Sequence, residues 1–362
     1  MRLASLLLPL IAFTPARPVS DDWERVTPNL ELTFPKDHGA HPNFLIEWWY
    51  ITGQVESATG RRFGFQFTVF RRGLSKQSLA EESSPLRARQ VLAGHLAVTD
   101  VENGRTLFSE RLRRASSALA NAGEGDLNVT LEDWSLVRSE GDVLSLAAGD
   151  AATAIGLRLK LQPKKPLVLH GRKGYSPKGS EAGNASAYFS WTRLSTAGEL
   201  SIDGEVMQVS GESWFDHEYG SSVLEKGVEG WDWFGLHLED GRDLMVFILR
   251  REDGSLSPAS AGTLIEMDGS SRRLEYGEFT IRSSGSWKSP RTGAVYPNQW
   301  EIEVSSIQLK VQVDPHVPDS ELVTGKSTGV AYWEGPVVLR GTHRGRGYAE
   351  LTGYAGSMDG RF

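Results

Sequence analysis

Apolar residues alternate with polar or small ones in run after run along this chain, and glycine-containing turns close the runs. No other feature restricts the fold so tightly, because a period of two sends successive side chains to opposite faces of an extended strand. The clearest run is RRFGFQFTVFRR from Arg61, which sets Phe63, Phe65, Phe67 and Val69 on one face and Gly64, Gln66 and Thr68 on the other. It reads as a half-polar strand. The dipeptides Asn103-Gly104, Asp203-Gly204, Asp240-Gly241, Asp253-Gly254 and Asp268-Gly269 separate such runs at hairpin spacing. An all-β fold of antiparallel hairpins is expected. Only the region from Ser75 to Ala122, with AEESSPLRARQVLAGH and SERLRRASSALANAG, has the Ala, Leu, Arg and Glu content of short helices.

At 362 residues the chain exceeds one ordinary core, so two domains are the default. The halves also resemble each other. EWWYITGQVESATGRRFGFQFTVFRR, from Glu47, lies over GWDWFGLHLEDGRDLMVFILRR, from Gly230: aromatic cluster, strand, turn, apolar strand, Arg-Arg. Each copy has an Asp-His upstream, at Asp37-His38 and Asp216-His217. Two β-barrels are expected, over 21–212 and 213–362, with a margin of about 15 residues on the boundary. The Asp-His segments should then occupy comparable places in their domains.

The opening MRLASLLLPLIAFTPA places Arg2 before an apolar run from Leu3 to Phe13 and then small residues, which fits a secretory signal within 1–20, cut after Ala16. A periplasmic or extracellular protein is expected. No later segment reads as a transmembrane helix, and contact with a membrane surface stays open. The chain has no cysteine, which removes disulfides, thiol catalysis and zinc–thiolate chemistry. A net charge of −7 with scattered basic residues lacks the footprint that phosphate backbones require, so nucleic acid is not an expected partner. Nothing in the sequence specifies the oligomeric state.

FPKDHGAHPNFLIEWWYITG, RRFGFQFTVFRR, SWFDHEYGSS, GWDWFGLHLEDGRDLM and YWEGPVVLRGTHRGRGYAELTGYA, in that order from Phe34 to Ala355, resemble the AttH-like proteins, a family that includes the carotenoid 1,2-hydratases. The resemblance implies two packed lipocalin-like barrels with a pocket for an apolar or amphipathic small molecule, and for the hydratases a hydration without cofactor. It also implies a carboxylate on the strand after the tryptophan loop. Here that strand reads Leu244-Met245-Val246-Phe247, which argues against carotenoid hydration in particular.

The chemistry gathers at SWFDHEYG, Ser213 to Gly220. A carboxyl group among Trp214, Phe215, Tyr219, Trp231 and Trp233 would be poorly solvated, which raises its pKa and keeps it a usable acid. Protonating an alkene makes a carbocation, which aromatic faces stabilise while a neighbouring His or Glu directs water onto it. Asp216, His217 and Glu218 are the catalytic candidates; Asp37, His38, Glu47, Trp48, Tyr50, Trp214, Tyr219, Trp231, Trp233 and Glu334 are the ligand-binding candidates. Glu334 has a second reading, as an exposed turn residue ahead of Gly335-Pro336. Asp37, His38 and His41 lack an evident further metal ligand, so neither metal nor cofactor is expected. GESWF lacks the second glycine of a nucleophile elbow at Ser213, against a serine hydrolase. Two functions remain: a cofactor-independent hydratase or isomerase, and a carrier of a lipid, isoprenoid or polyketide-like molecule.

Overall fold

The computed structural model describes residues 23–75, 89–222 and 224–358. Among the described residues the chain is all-β, with two large antiparallel sheets, the first curled into a near-closed barrel and the second into a half-barrel, and one two-stranded ribbon, Trp287–Lys288 with Val295–Tyr296. Helix among the described residues amounts to short 3₁₀ turns such as Lys36–His38. The signal-like segment lies outside the described residues.

Both sheets are built to one plan. In the first, the hairpin Ile46–Ser57 and Arg62–Gly73 continues to Gln90–Asp100 and Arg105–Arg114 on one side, and Ile46–Ser57 pairs with Glu205–Ser222 on the other. In the second, the hairpin Val228–Leu238 and Asp243–Arg251 continues to Ala261–Ile265 and Ser271–Leu274, and Val228–Leu238 pairs with Gly345–Leu351. The first strand of each unit thus pairs with its last, and the two sequence segments that resemble each other are the equivalent hairpins. The last strand of the first sheet runs on to Ser222.

Asp216-His217 therefore sits in the middle of the last strand of the first sheet, whereas Asp37-His38 sits in a 3₁₀ turn ahead of that sheet. The expected equivalence of the two Asp-His segments does not hold, because both belong to the first unit. The expected helices between Ser75 and Ala122 are also corrected. Residues 76–88 are outside the described part, and the rest forms the strands Gln90–Asp100, Arg105–Arg114 and Ala120–Ala122. Helix propensity there yields to ladder pairing and to burial of Leu92, Leu96 and Val98 in the barrel.

Alternation decides what each strand shows to each side. Trp49, Ile51, Phe63, Phe65, Phe67 and Phe215 fill the first barrel. Phe234, Leu236, Val246, Trp300 and Val337 fill the second. The opposite faces meet each other: Tyr50, Tyr188, Trp214, Trp233, Phe247 and Tyr348 form a third core between the sheets. Gln66 and Thr68 accordingly lie buried rather than in water. Gln54 Nε2 crosses this interface to the carbonyls of Val337 (2.9 Å) and Gly347 (2.7 Å). Gly64 takes the ring of Pro336 where a Cβ would sit 2.5 Å from its Cγ. The Asp203-Gly204 turn joins two long strands with positive φ at both residues (54° and 83°), a conformation that Asp and Gly tolerate best.

Candidate functional site

The strand Glu205–Ser222 divides the Asp-His-Glu run between two places. Phe215, His217 and Tyr219 point into the first barrel, while Asp216 and Glu218 point toward the second sheet and line a cleft. The cleft has a cavity volume of about 100 Å³ and opens to solvent at its mouth. Trp48, Tyr50, Tyr188, Trp231, Trp233 and Phe247 supply aromatic walls, and Asp216, Glu218, Glu334 and Glu350 face them with Lys178.

Asp216 is 4 % exposed. Its Oδ1 accepts hydrogen bonds from Trp214 Nε1 (2.6 Å) and the Ser190 hydroxyl, and its Oδ2 accepts from the Tyr188 hydroxyl at 2.9 Å. Oδ1 is thereby saturated, whereas Oδ2 keeps one lone pair, the place for a proton. Burial raises this carboxyl to about 7, against the three donors that pull it down. The donors are themselves held. His170 bonds Ser190 Oγ at 2.7 Å through Nε2 and Thr263 Oγ1 at 2.8 Å through Nδ1, and Trp233 Nε1 donates to the Tyr188 oxygen at 3.1 Å. His170 lies well below its usual range, at about 3, because it is buried, and so it serves as a neutral ring.

Glu218, two residues along the same face, has a different setting. Lys178 Nζ stands 3.1 Å from its Oε1, and the Ser186 hydroxyl donates to the same oxygen. The Lys178 ammonium lies 4.3 Å from the Phe247 ring centre and 5.0 Å from that of Tyr188. One strand face thus carries a carboxyl that takes up a proton near neutrality and a carboxylate matched to a cation. Across the cleft, Glu334 lies within the strand Ala331–Gly341 at 1 % exposure, so its exposed-turn reading is overturned. It accepts from the Tyr50 hydroxyl and is the cross-strand neighbour of Glu350. Burial first and then Glu350 push Glu334 well above the carboxylate range; burial and then Asp216 raise Glu350 to about 8.

Of the residues singled out in the sequence, Asp216, Glu218, Trp48, Tyr50, Trp231, Trp233 and Glu334 line the cleft, and Trp214 stands behind Asp216 as its donor. Asp37, His38, Glu47, His217 and Tyr219 converge elsewhere, at one end of the first barrel. There Glu47 Oε1 meets His41 Nδ1 (2.7 Å) and His217 Nε2 (2.8 Å), while Oε2 accepts from Arg71 Nε (2.7 Å) and the His41 backbone amide (2.9 Å). His41 Nε2 reaches Asp37 Oδ1 at 3.0 Å. Burial alone would lower His41, but its bonds to Asp37 and Glu47 hold it at about 9. His38 is packed on Trp191, ring centres 4.7 Å apart. His41, Glu47 and His217 bring ligand atoms close enough for a metal ion, yet every Glu47 lone pair and both His41 nitrogens already have protein partners. The group forms a clamp between the N-terminal loop and the barrel wall, with His217 Nδ1 and Arg71 Nη1 left without hydrogen-bond partners.

Lys178, Tyr188, Ser190, Phe247 and Glu350 were not among the candidates. Tyr188 and Ser190 fall on one face of the alternating ASAYFSW and were accessible to the period-two argument; Lys178, in a loop, carries no such signal. Phe247, on the strand where the resemblance implied a carboxylate, lines the cleft.

A family model described as AttH-like matches residues 25–354. A search of curated proteins finds no match. Among solved structures, a presumed AttH from Nitrosomonas europaea is 35% identical with a TM-score of 0.83, covering 91% of this chain and 99% of its own. Kievitone hydratase from Nectria haematococca shares the fold at 13% identity and a TM-score of 0.69, over 92% of this chain and 97% of its own. CghA bound to Sch210972 matches at 12% identity and 0.51, over 87% and 90%. With the family model spanning nearly the whole chain and a solved relative 35% identical over 91% of it, the protein belongs to the AttH-like family.

Proposed function

We propose that the cleft between the two sheets binds an apolar or amphipathic molecule and adds water to it, or shifts its double bond, by acid catalysis without a cofactor. The observation that carries this reading is the pair Asp216 and Glu218 on one strand face inside an aromatic cleft, one carboxyl poised to give a proton and the other ion-paired with Lys178. The proton on Asp216 Oδ2 passes to an alkene carbon, and the π pair forms the new C–H bond. The faces of Trp48, Trp231 and Trp233 stabilise the cation left on the neighbouring carbon. Water attacks that carbon and gives up a proton to Glu218, completing hydration; loss of a ligand proton to Glu218 instead gives isomerisation. Glu218 then gives up its proton and Asp216 takes one back, both exchanged with solvent, which restores the starting state. That a protein with this fold is named as a hydratase is consistent with this chemistry, although its identity to this chain is low.

The enclosed, largely aromatic walls also suit a carrier that performs no reaction, with Asp216 as a buried hydrogen-bonding centre. Native mass spectrometry of the protein purified from its own host identifies a co-purifying molecule. Incubating that molecule with fresh protein while following its mass and isomer composition separates the readings. A gain of one water or a change of isomer supports the enzyme, and an unchanged molecule leaves the carrier. Export belongs to the same proposal, and a mature protein beginning between Ala16 and Asp22 by intact mass is its test.

A further inference from the structure

Three observations set Glu334 apart from the other acids of the cleft. Its Oε1 is occupied by the Tyr50 hydroxyl, while its Oε2, buried with the rest of the side chain, has no hydrogen-bond partner. Its cross-strand neighbour on the same face is another acid, Glu350, and neither carboxyl has a basic partner among the described residues. Among the described residues the one cation lining the cleft, Lys178, is matched to Glu218 on the opposite wall. The other ionisable groups around Glu334 in the described part add no positive charge: Asp216 on the facing strand, Tyr332 on its own strand, Tyr348 on the strand of Glu350, and His95, a neutral ring bonded to Tyr332 at 2.7 Å. Two carboxyls side by side in a buried apolar setting do not both ionise. A buried polar oxygen left without a partner is unfavourable and calls for one.

We infer that Glu334 stays protonated opposite Glu350 and offers the proton through Oε2 to an oxygen atom of the bound molecule, so that the cleft selects an apolar ligand bearing a carbonyl, ether or hydroxyl oxygen over the corresponding hydrocarbon. The assignment fits the direction in which burial and Glu350 move this carboxyl. It rests on the cleft being the ligand site but not on any turnover there. A site with a buried donor rejects an analogue that lacks the acceptor, because the donor is then left unpaired.

The test uses two probes of nearly the same shape, 2-acetylnaphthalene and 2-ethylnaphthalene, with binding followed by tryptophan fluorescence. Intrinsic hydrophobicity differs between them, so the informative quantity is the ratio of their affinities compared across variants. Relative to wild type, Glu334→Leu should lower the ketone-to-hydrocarbon ratio by about 3- to 10-fold, the worth of one neutral hydrogen bond. Glu334→Gln keeps a donor at that place and should preserve the ratio. Infrared spectra at pH 7 supply a second readout, which survives if Glu334→Leu folds poorly. The C=O stretch of a protonated carboxyl should lose intensity in Glu334→Gln, and in wild type it should move to lower frequency with the ketone and not with the hydrocarbon. An unchanged ratio in Glu334→Leu, an unchanged carboxyl band in Glu334→Gln, or a ratio that instead collapses in Asp216→Asn overturns the inference. Failure of both probes to bind folded wild-type protein refutes the ligand site itself. Ketone selection through Glu334 with no turnover of any ligand would leave this inference standing and remove only the catalytic reading.

Discussion

The substitution Asp37→Asn tests the clamp at the end of the first barrel. His41 sits between Asp37 and Glu47 with its side chain 13% exposed, and the two carboxylates hold it at about 9 instead of 6.5. A rise of that size corresponds to about 3 kcal/mol of stability, of which about half rests on Asp37 if the two acids share it evenly. The folded-state pKa is raised, so the contribution is fully present below pH 6.5 and disappears as the pH climbs through 9. Asn retains an oxygen for the Thr33 amide that Asp37 now accepts. The substitution should therefore lower stability by about 1.5 kcal/mol at pH 6 and by almost nothing at pH 10. Urea denaturation at both pH values measures the difference. Asp216, Glu334 and Glu350 also titrate differently in the folded protein, but their effects cancel between wild type and variant at a given pH. The His41 ring should titrate by NMR near 9 in wild type and roughly one unit lower in the variant. A penalty equal at both pH values, or a His41 midpoint near 6.5 in wild type, refutes the reasoning.

Further outcomes follow from individual contacts. Trp214→Phe removes the donor 2.6 Å from Asp216 Oδ1 and should raise the Asp216 midpoint by about one unit, read as a shift of the basic limb of the pH–rate profile. Lys178→Met removes the cation 3.1 Å from Glu218, and water addition should fall by about tenfold or more while binding of an apolar probe stays as in wild type. Asp243 is fully buried and bonds Arg193 Nη2 (2.6 Å), Lys165 Nζ (2.9 Å) and Thr192 Oγ1 (2.9 Å) across the two sheets. Asp243→Asn should destabilise the protein by about 3 to 5 kcal/mol in denaturant titration, because Lys165 loses its counter-charge inside the interface and Arg193 keeps only Glu212.

How far the sequence could be read depended on whether a signal was local. Phe63, Phe65, Phe67 and Val69 announced a barrel-facing row, and that is where they lie. The opposite row looked half-polar and is nevertheless buried, because a second sheet covers it, a fact no window around Gln66 contains. The same alternation separates Asp216 from His217, and reading SWFDHEYG as one cluster overlooked it. Tertiary pairing hid the strands between Gln90 and Ala122 under helix-forming residues. Lys178 enters the cleft from a loop, and Glu350 becomes the partner of Glu334 only through ladder register.

The most direct test of the central claim is turnover by Asp216→Asn on the molecule that co-purifies with the protein. Asn keeps the side-chain shape and an oxygen for Trp214 and Ser190, and turns its NH2 toward the Tyr188 oxygen, but has no acidic proton to give. The account predicts unchanged affinity and a rate about a hundredfold or more below wild type. Conversion at the wild-type rate by the variant would contradict it, and so would the absence of any conversion by wild type.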